Sequence, residues 1–524
     1  MGRKWLSRTC LVLCVTALAA CGGGGGGGGG TAPASGPTST DGTVAIQGLA
    51  TFDSVPNASS GRLDYSAISA KPIRGALVEA VTDSGSRVLA SGSTSETGAY
   101  ALSVPVNTTV QIRVRAQLQR SGAPSWDVTV RDNTASGAIY SIQSATFGSG
   151  SAASLQRDIY AASGWSGSAY ASTRAAGPFA LLDTVYVAVN KVVSVAPALN
   201  FPALRVYWSV NNVPSSGDPA LGQIGTTFFR LESNGMRAIY VLGRADVDTD
   251  EYDESVVAHE WGHYYQSAFS RDDSPGGPHG PGDLLDRRLA FSEGWGNAWS
   301  GIALGRSTYS DSGDVGQAGG FSLDLSTGPA TNRGWFNEQS MQAIFWNLER
   351  ATGFGAIHAA MTGPFKNGLP VTSIHPFAAA FAVAAPAQAS TLASLLAGQS
   401  ISSSANDPFG TLETNNGGVA RATPLYGTTA TQACVTNEAG SANKLGNFAY
   451  VRFTLASAGA HRIIVSGPGT ADPNFVVYQG GAIGASAARS PATEDATLNL
   501  PAGESVLVIQ DFNATTACFN VSIT

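Results

Sequence analysis

The segment His259-Glu260-Trp261-Gly262-His263 constrains this chain more than any other stretch. On a helix, residues four apart share a face. Two imidazoles at that spacing can grip one metal ion, and Glu260, one residue along, can reach a water on that ion. The chain has six histidines, and two of them stand in this motif. The bland alternative is an amphipathic helix that sets two polar histidines beside a core. Glu293, in the next ordered segment, speaks against it.

A catalytic zinc takes three protein ligands and one water. His259 and His263 supply two, so the third must come from another element. The metzincin pattern would put a glycine at 266 and a histidine at 269. This chain has Gln266 and Phe269, which closes that route. The stretch Leu284 to Leu304 reads as a helix after the loop Asp272-Asp273-Ser274-Pro275-Gly276-Gly277. It contains Ala290-Phe291-Ser292-Glu293-Gly294-Trp295-Gly296-Asn297. A carboxylate on an antiparallel neighbouring helix completes such a site. Gly294 and Gly296 lack side chains that would hold the two helices apart.

With HEWGH, Glu293 and the Gly294-Trp295 that follows it, the chain resembles the gluzincin metallopeptidases, the clan of thermolysin and fungalysin. Fungalysins carry a similar Glu-Gly-Trp. The resemblance implies one Zn²⁺ on His259, His263 and Glu293, with Glu260 as general base. It implies hydrolysis of a peptide or protein substrate. It also implies an acid four residues after the ligand glutamate, orienting the first histidine. Here that position is Asn297, which accepts the same hydrogen bond but brings no charge. Candidate donors to a developing oxyanion are His279, His358, His375 and Tyr309. Glu338 opens an expected helix, Glu338 to Arg350, and reads as a charge at a helix N-terminus.

The loop Asp246 to Glu254 is acidic. Asp246, Asp248 and Asp250 fall at positions one, three and five of a calcium loop. Positions six and twelve are Glu251 and Val257, where an EF-hand needs Gly and Glu. The better reading is that Asp250 or Asp253 caps the helix of the histidines. Calcium is the less favoured cofactor.

Basic Arg3, Lys4 and Arg8 precede an apolar run too short to span a bilayer. This reads as a signal peptide. Its end, Leu18-Ala19-Ala20-Cys21, resembles the lipobox of bacterial lipoproteins. That implies cleavage before Cys21, lipidation there, and a membrane partner reached through the anchor. Gly22 gives no Asp-type retention signal, so the outer membrane is the expected site of this exported protein. Residues 22–40 form a Gly/Ser-rich tether with no packed core. Cys434 and Cys518 then remain in the globular part. In an exported chain they favour one disulfide, the alternative being two buried thiols. A net charge of −7, with 13% charged residues, offers no basic patch for nucleic acid.

Residues 41–150 alternate short β-type runs with turns and suggest a small sandwich. Pro72-Ile73-Arg74-Gly75-Ala76, followed by Thr97-Gly98-Ala99-Tyr100, resembles carboxypeptidase-regulatory-like modules. Residues 155–425 carry the helices and the metal motif. Residues 430–524 return to β, with strands expected at Tyr450–Leu455, Arg462–Val465 and Ser505–Ile509. This part resembles the pre-peptidase C-terminal domain of secreted proteases. The expected fold is multidomain: an α+β zincin-like metallopeptidase domain flanked by two β-sandwiches. The competing functional class is an inactive surface-binding or adhesin lipoprotein that uses the sandwiches. The intact Glu260 speaks for the enzyme, because a descendant without activity has no chemical need of it.

Overall fold

The computed structural model describes residues 42–402, 405–420, 432–486 and 492–524. The expected leader 1–21 with Cys21, and the tether 22–40, lie outside the described residues. The rest is an α+β protein with several β-sheets.

Period-two patterning builds the sheets. In Thr109–Arg120, Val110, Ile112, Val114, Ala116 and Leu118 are buried, and the residues between them are partly exposed. This strand sits inside a large sheet. Along its main path the order is Phe228–Leu231, Arg237–Val241, Leu204–Trp208, Trp126–Asp132, Thr109–Arg120, Ala76–Thr82 and Val88–Ser93. A second sheet centres on Thr43–Ser54, which pairs antiparallel with Ala99–Pro105 and Ser69–Pro72.

The boundary expected near residue 150 does not divide these sheets. Trp126–Asp132 pairs in parallel with Leu204–Trp208. Ser154–Gln156 and Ile159–Ala161 return to pair in parallel with Thr43–Ser54. One hydrophobic core runs through both segments, from Val44 to Leu445. The reason is the unmet backbone edge. A strand edge left open needs partners, and here the next segment supplies them. The N-terminal strands are therefore not a closed sandwich of their own.

Four helices matter for the site: α1 (Gly177–Val193), α2 (Glu254–Phe269), α3 (Arg287–Leu304) and α4 (Glu338–Thr352). α3 is buried along almost its whole length because it lies between α2 and α4. Small residues allow this. A methyl group built on Gly262 would lie 3.1 Å from Gly296 Cα, and one on Gly294 would lie 2.2 Å from Met341 Cβ. Behind this contact Trp261 stacks on Trp299 with ring centroids 5.2 Å apart, and Tyr265 stacks on Trp299 at 5.5 Å. Each such pair adds about 0.5–1.5 kcal/mol beyond simple burial. The Trp295 indole donates to Gly262 O at 3.1 Å, which fixes the rotation of α3 against α2. Among the described residues no single helix is long and apolar enough to cross a membrane.

The C-terminal strands form two four-stranded sheets around a core of their own, including Val451, Ile463, Phe475, Leu507 and Phe519. Cys434 and Cys518 stand directly opposite each other on paired strands and are joined by a disulfide. The expected pairing is thus present.

Candidate metal centre

The α2–α3 contact brings the predicted ligands together. The atoms His259 Nε2 and His263 Nε2 are 3.1 Å apart. Glu293 Oε2 lies 3.2 Å from His259 Nε2 and 3.4 Å from His263 Nε2. These three donors form a group able to hold a metal ion. Their outer nitrogens are held in place. His259 Nδ1 meets Asn297 Oδ1 at 2.8 Å, and Asn297 Nδ2 donates in turn to Gln342 Oε1 at 3.1 Å. His263 Nδ1 meets Ser292 Oγ at 3.2 Å, and Ser292 donates to Asp272 Oδ2 at 2.8 Å. The two imidazoles are therefore supported differently. One rests on a neutral amide, while the other reaches a carboxylate through a hydroxyl. Outer partners of this kind set ligand tautomer and basicity.

Gly296 is part of the same construction. A methyl group there would lie 2.7 Å from the His259 ring. The glycine that lets the helices meet also leaves room for the first imidazole.

Glu260 is 8% exposed, and the backbone N–H of Phe229 donates to its Oε2 at 2.7 Å. Burial raises its pKa above the ordinary carboxylate value, and nearby Glu293 adds to the rise. The two histidines and the Phe229 N–H oppose it. Burial also disfavours charge on Glu293, but His263, His259 and His279 outweigh it and hold that carboxyl well below its usual range. For His263, burial disfavours the imidazolium; Glu293, Glu260 and Asp272 win, raising its pKa to about 9. Each of these shifts belongs to the centre without an ion.

The triad opens on a cavity of about 690 Å³. Two of the four oxyanion candidates, His279 and Tyr309, line it. The other two do not. His358 Nδ1 bonds the Tyr265 hydroxyl at 2.8 Å, and His375, fully buried, faces Glu413 at 3.4 Å. The loop before α3 carries His279 over the triad. Its Nε2 is 3.3 Å from Glu293 Oε2, and its Nδ1 is 2.9 Å from Glu338 Oε2. Burial lowers the pKa of His279, but the two glutamates more than reverse this and raise it to about 10.

Three residues of the site take contacts that the sequence did not assign to them. Glu338 was expected only as a charge at a helix start. Asn337 supplies the cap, accepting from the N–H groups of Gln339 and Ser340, while Glu338 turns to His279. Ser292 and Asp272 support His263. No local signal marks any of the three, because each contact joins separate elements.

No protein-family model matches the sequence. No curated protein matches it either. Among solved structures, the chain is similar to the pre-peptidase C-terminal domain of collagenase from Bacillus anthracis. That likeness has 13% identity and a TM-score of 0.16, and covers 19% of this chain and 92% of that one. It is also similar to PliG of Aeromonas hydrophila, a periplasmic inhibitor of g-type lysozyme. There the identity is 16% and the TM-score 0.13, over 19% of this chain and 97% of that one. At these TM-scores neither likeness carries an argument. The class that fold and site define is an α+β protein with a buried histidine–carboxylate centre able to hold a metal.

Proposed function

We propose that this chain is a zinc-dependent endopeptidase of gluzincin type, exported and anchored to the cell envelope through lipid on Cys21. The spacing of the three donor atoms carries the reading. Tetrahedral ligands bonded to zinc at about 2.0–2.2 Å stand roughly 3.3–3.6 Å apart. Here the separations are 3.1, 3.2 and 3.4 Å. Two imidazoles and one carboxylate also match the donor set of a catalytic zinc that keeps one position open.

When bound, Zn²⁺ supplies an acidified water and polarises the scissile carbonyl. Glu260 does the proton work: it takes a proton from water at the open face of the triad and passes it to the leaving amine. Its raised pKa suits a base that must later act as an acid. Asn297 and Ser292 fix the two rings. His279, braced by Glu338, is a donor on the cavity side for the charge that develops on oxygen. Phe228–Leu231 ends the large sheet, so its outer edge, apart from the Phe229 N–H held by Glu260, offers an extended peptide backbone partners. The leader, the lipobox-like Cys21 and the tether support the envelope location.

The test is metal analysis of the purified protein, with casein cleavage measured with and without chelator. Bound zinc, with activity lost on chelation and restored by Zn²⁺, is expected. A protein with no zinc affinity would end this reading, and zinc without cleavage would favour a binding role. Mass spectrometry of the N-terminal peptide checks lipid on Cys21; an unmodified cysteine would remove the anchor.

A further inference from the structure

The cavity has a second polar end. Asp248, Asp250 and Asp311 line it, and among the described residues no Lys or Arg lines the cavity. Asp250 and Asp253 precede α2, while Asp311 comes from the strand Thr308–Gly313, beyond α3. Each of Asp250, Asp253 and Asp311 offers an oxygen, and these three atoms lie within 4.8 Å of one another.

These carboxylates are unusually short of positive charge. Asp250 is 3% exposed and Asp253 fully buried. The basic side chains nearby are used elsewhere: Arg174 pairs with Glu251, and Lys71 and Arg306 pair with Glu254. Among the described residues no ion pair reaches Asp248, Asp250, Asp253 or Asp311. Asp253 does not cap α2 with its side chain, as the sequence suggested. Its oxygens instead accept from Asn57 Nδ2 at 2.6 Å and from Ser312 Oγ at 2.5 Å. Asp250 Oδ2 takes the Thr227 hydroxyl, while Oδ1 is buried with no hydrogen-bond partner. A buried carboxylate oxygen without a partner carries a full desolvation cost. The mutual crowding adds to it: burial and the neighbouring aspartates push Asp253 up to about 7 and Asp311 up to about 8.

We infer that Asp250, Asp253 and Asp311 bind one hard divalent cation, of the Ca²⁺ kind, at the end of the cavity away from the histidines. An all-oxygen set suits Ca²⁺, Mg²⁺ or Mn²⁺ and does not favour zinc. Oxygens within 4.8 Å of one another are compatible with Ca²⁺. Oxygens about 2.3–2.6 Å from Ca²⁺ stand at most roughly 5 Å apart. Asp248, beside the trio, is the fourth acid able to add a ligand. The unpartnered Asp250 Oδ1 is the atom that such an ion satisfies. This is not the calcium loop that the linear pattern tested, which ran through Asp246, Asp248 and Asp250 and lacked its closing glutamate. Folding substitutes Asp311. The ion ties the start of α2 to the strand after α3, and so braces the helix that carries His259 and His263. The inference does not depend on the peptidase reading.

The experiment uses the full chain, stripped of divalent ions and passed into zinc-containing buffer. Ca²⁺ is titrated by calorimetry. Terbium(III) serves as a luminescent probe excited through the neighbouring Tyr309. One Ca²⁺ per chain is expected, with a higher Tm and displacement of terbium by Ca²⁺. Asp311→Asn and Asp250→Asn should each weaken binding at least tenfold, while Glu293→Gln should retain it, separating this site from the histidine centre. Circular dichroism identifies the folded variants; if neither aspartate variant folds, the stoichiometry in Glu293→Gln decides alone. The inference is overturned if the folded wild type takes up none of Ca²⁺, Mg²⁺ and Mn²⁺. It is equally overturned if a folded aspartate variant binds as well as wild type, or if only cationic peptides, and no metal ion, are held by these acids.

Discussion

The two ends of the cavity bury charge in opposite ways. At one end, Glu293 is surrounded by His259, His263 and His279 and is held well below its usual pKa. At the other, Asp250, Asp253 and Asp311 face one another with no ion pair among the described residues and are all driven upward. Burial acts on both sets alike, so the neighbours decide the sign. The histidine end has its charges paired and its outer nitrogens braced before any ion arrives. The aspartate end lacks positive charge and gains most from one.

The most severe way to break the histidine end is to change its chemistry while leaving its geometry intact. Glu260→Gln should lower peptide hydrolysis by a factor of about 10²–10⁴ or more, the usual worth of a general base, and leave zinc content unchanged. Paired kinetics and metal analysis check this; full activity in the variant would place the base elsewhere. Gly296→Ala attacks packing instead. Its methyl group meets the His259 ring, and such overpacking costs about 1–3 kcal/mol. Thermal unfolding should show the loss, and zinc affinity should fall with it, because the ring must move.

Asp272→Asn sharpens the contrast within the histidine end. It removes the only carboxylate behind either imidazole's outer nitrogen while keeping a partner for Ser292. A loss of about 10–100-fold in zinc affinity is expected. Asn297→Asp should act in the other direction, by putting a charge behind His259. Competition with a zinc chelator measures both.

The last contrast is a pH dependence at the aspartate end. Burial and the neighbouring aspartates push Asp253 up to about 7 and Asp311 up to about 8, against an ordinary 3.8, with Asp248, Asp250, Asp314 and Tyr309 close by. A carboxyl raised by folding contributes stability below its unfolded pKa and loses it as pH rises through the folded value. Without divalent ions, wild type should therefore lose stability between about pH 4 and 8. Asp311→Asn, neutral throughout, should be the more stable protein at pH 8 and gain nothing at pH 4. Added Ca²⁺ should reverse the order at pH 8. Thermal scans at both pH values, with and without Ca²⁺, test this, and equal curves for the two proteins would remove the electrostatic account.

Much of the fold was legible because local patterns coincide with local elements. The strands expected at Tyr450–Leu455, Arg462–Val465 and Ser505–Ile509 lie within Phe448–Leu455, Gly459–Ser466 and Gly503–Asp511, and the helix expected at Glu338 to Arg350 is Glu338–Thr352. The division at 150 was not legible. Alternation fixes which face of a strand is buried, but says nothing about which strand lies beside it, and here Trp126–Asp132 finds Leu204–Trp208 across a helix and several turns. At the site, His259, Glu260 and His263 were readable from spacing alone, since one helix sets their relation. Glu293 needed two helices and the glycines that let them touch. Glu338 stands at its helix start as expected, but its contact with His279 and the role of Asp311 were not legible, because each acts on an element far from it in sequence.

By itself, the sequence determined the helix with its two same-face histidines, the acid next to them, the glycines at the helix contact and the cysteine pair. These follow from side-chain spacing along one element, or from the absence of a Cβ. Only the tertiary structure decided that Ser292 joins His263 to Asp272, that Glu338 holds His279, and that Asp250, Asp253 and Asp311 meet. Electrostatic interactions depend on distance through space and on how much water is excluded, and neither quantity is set until the separate elements have packed.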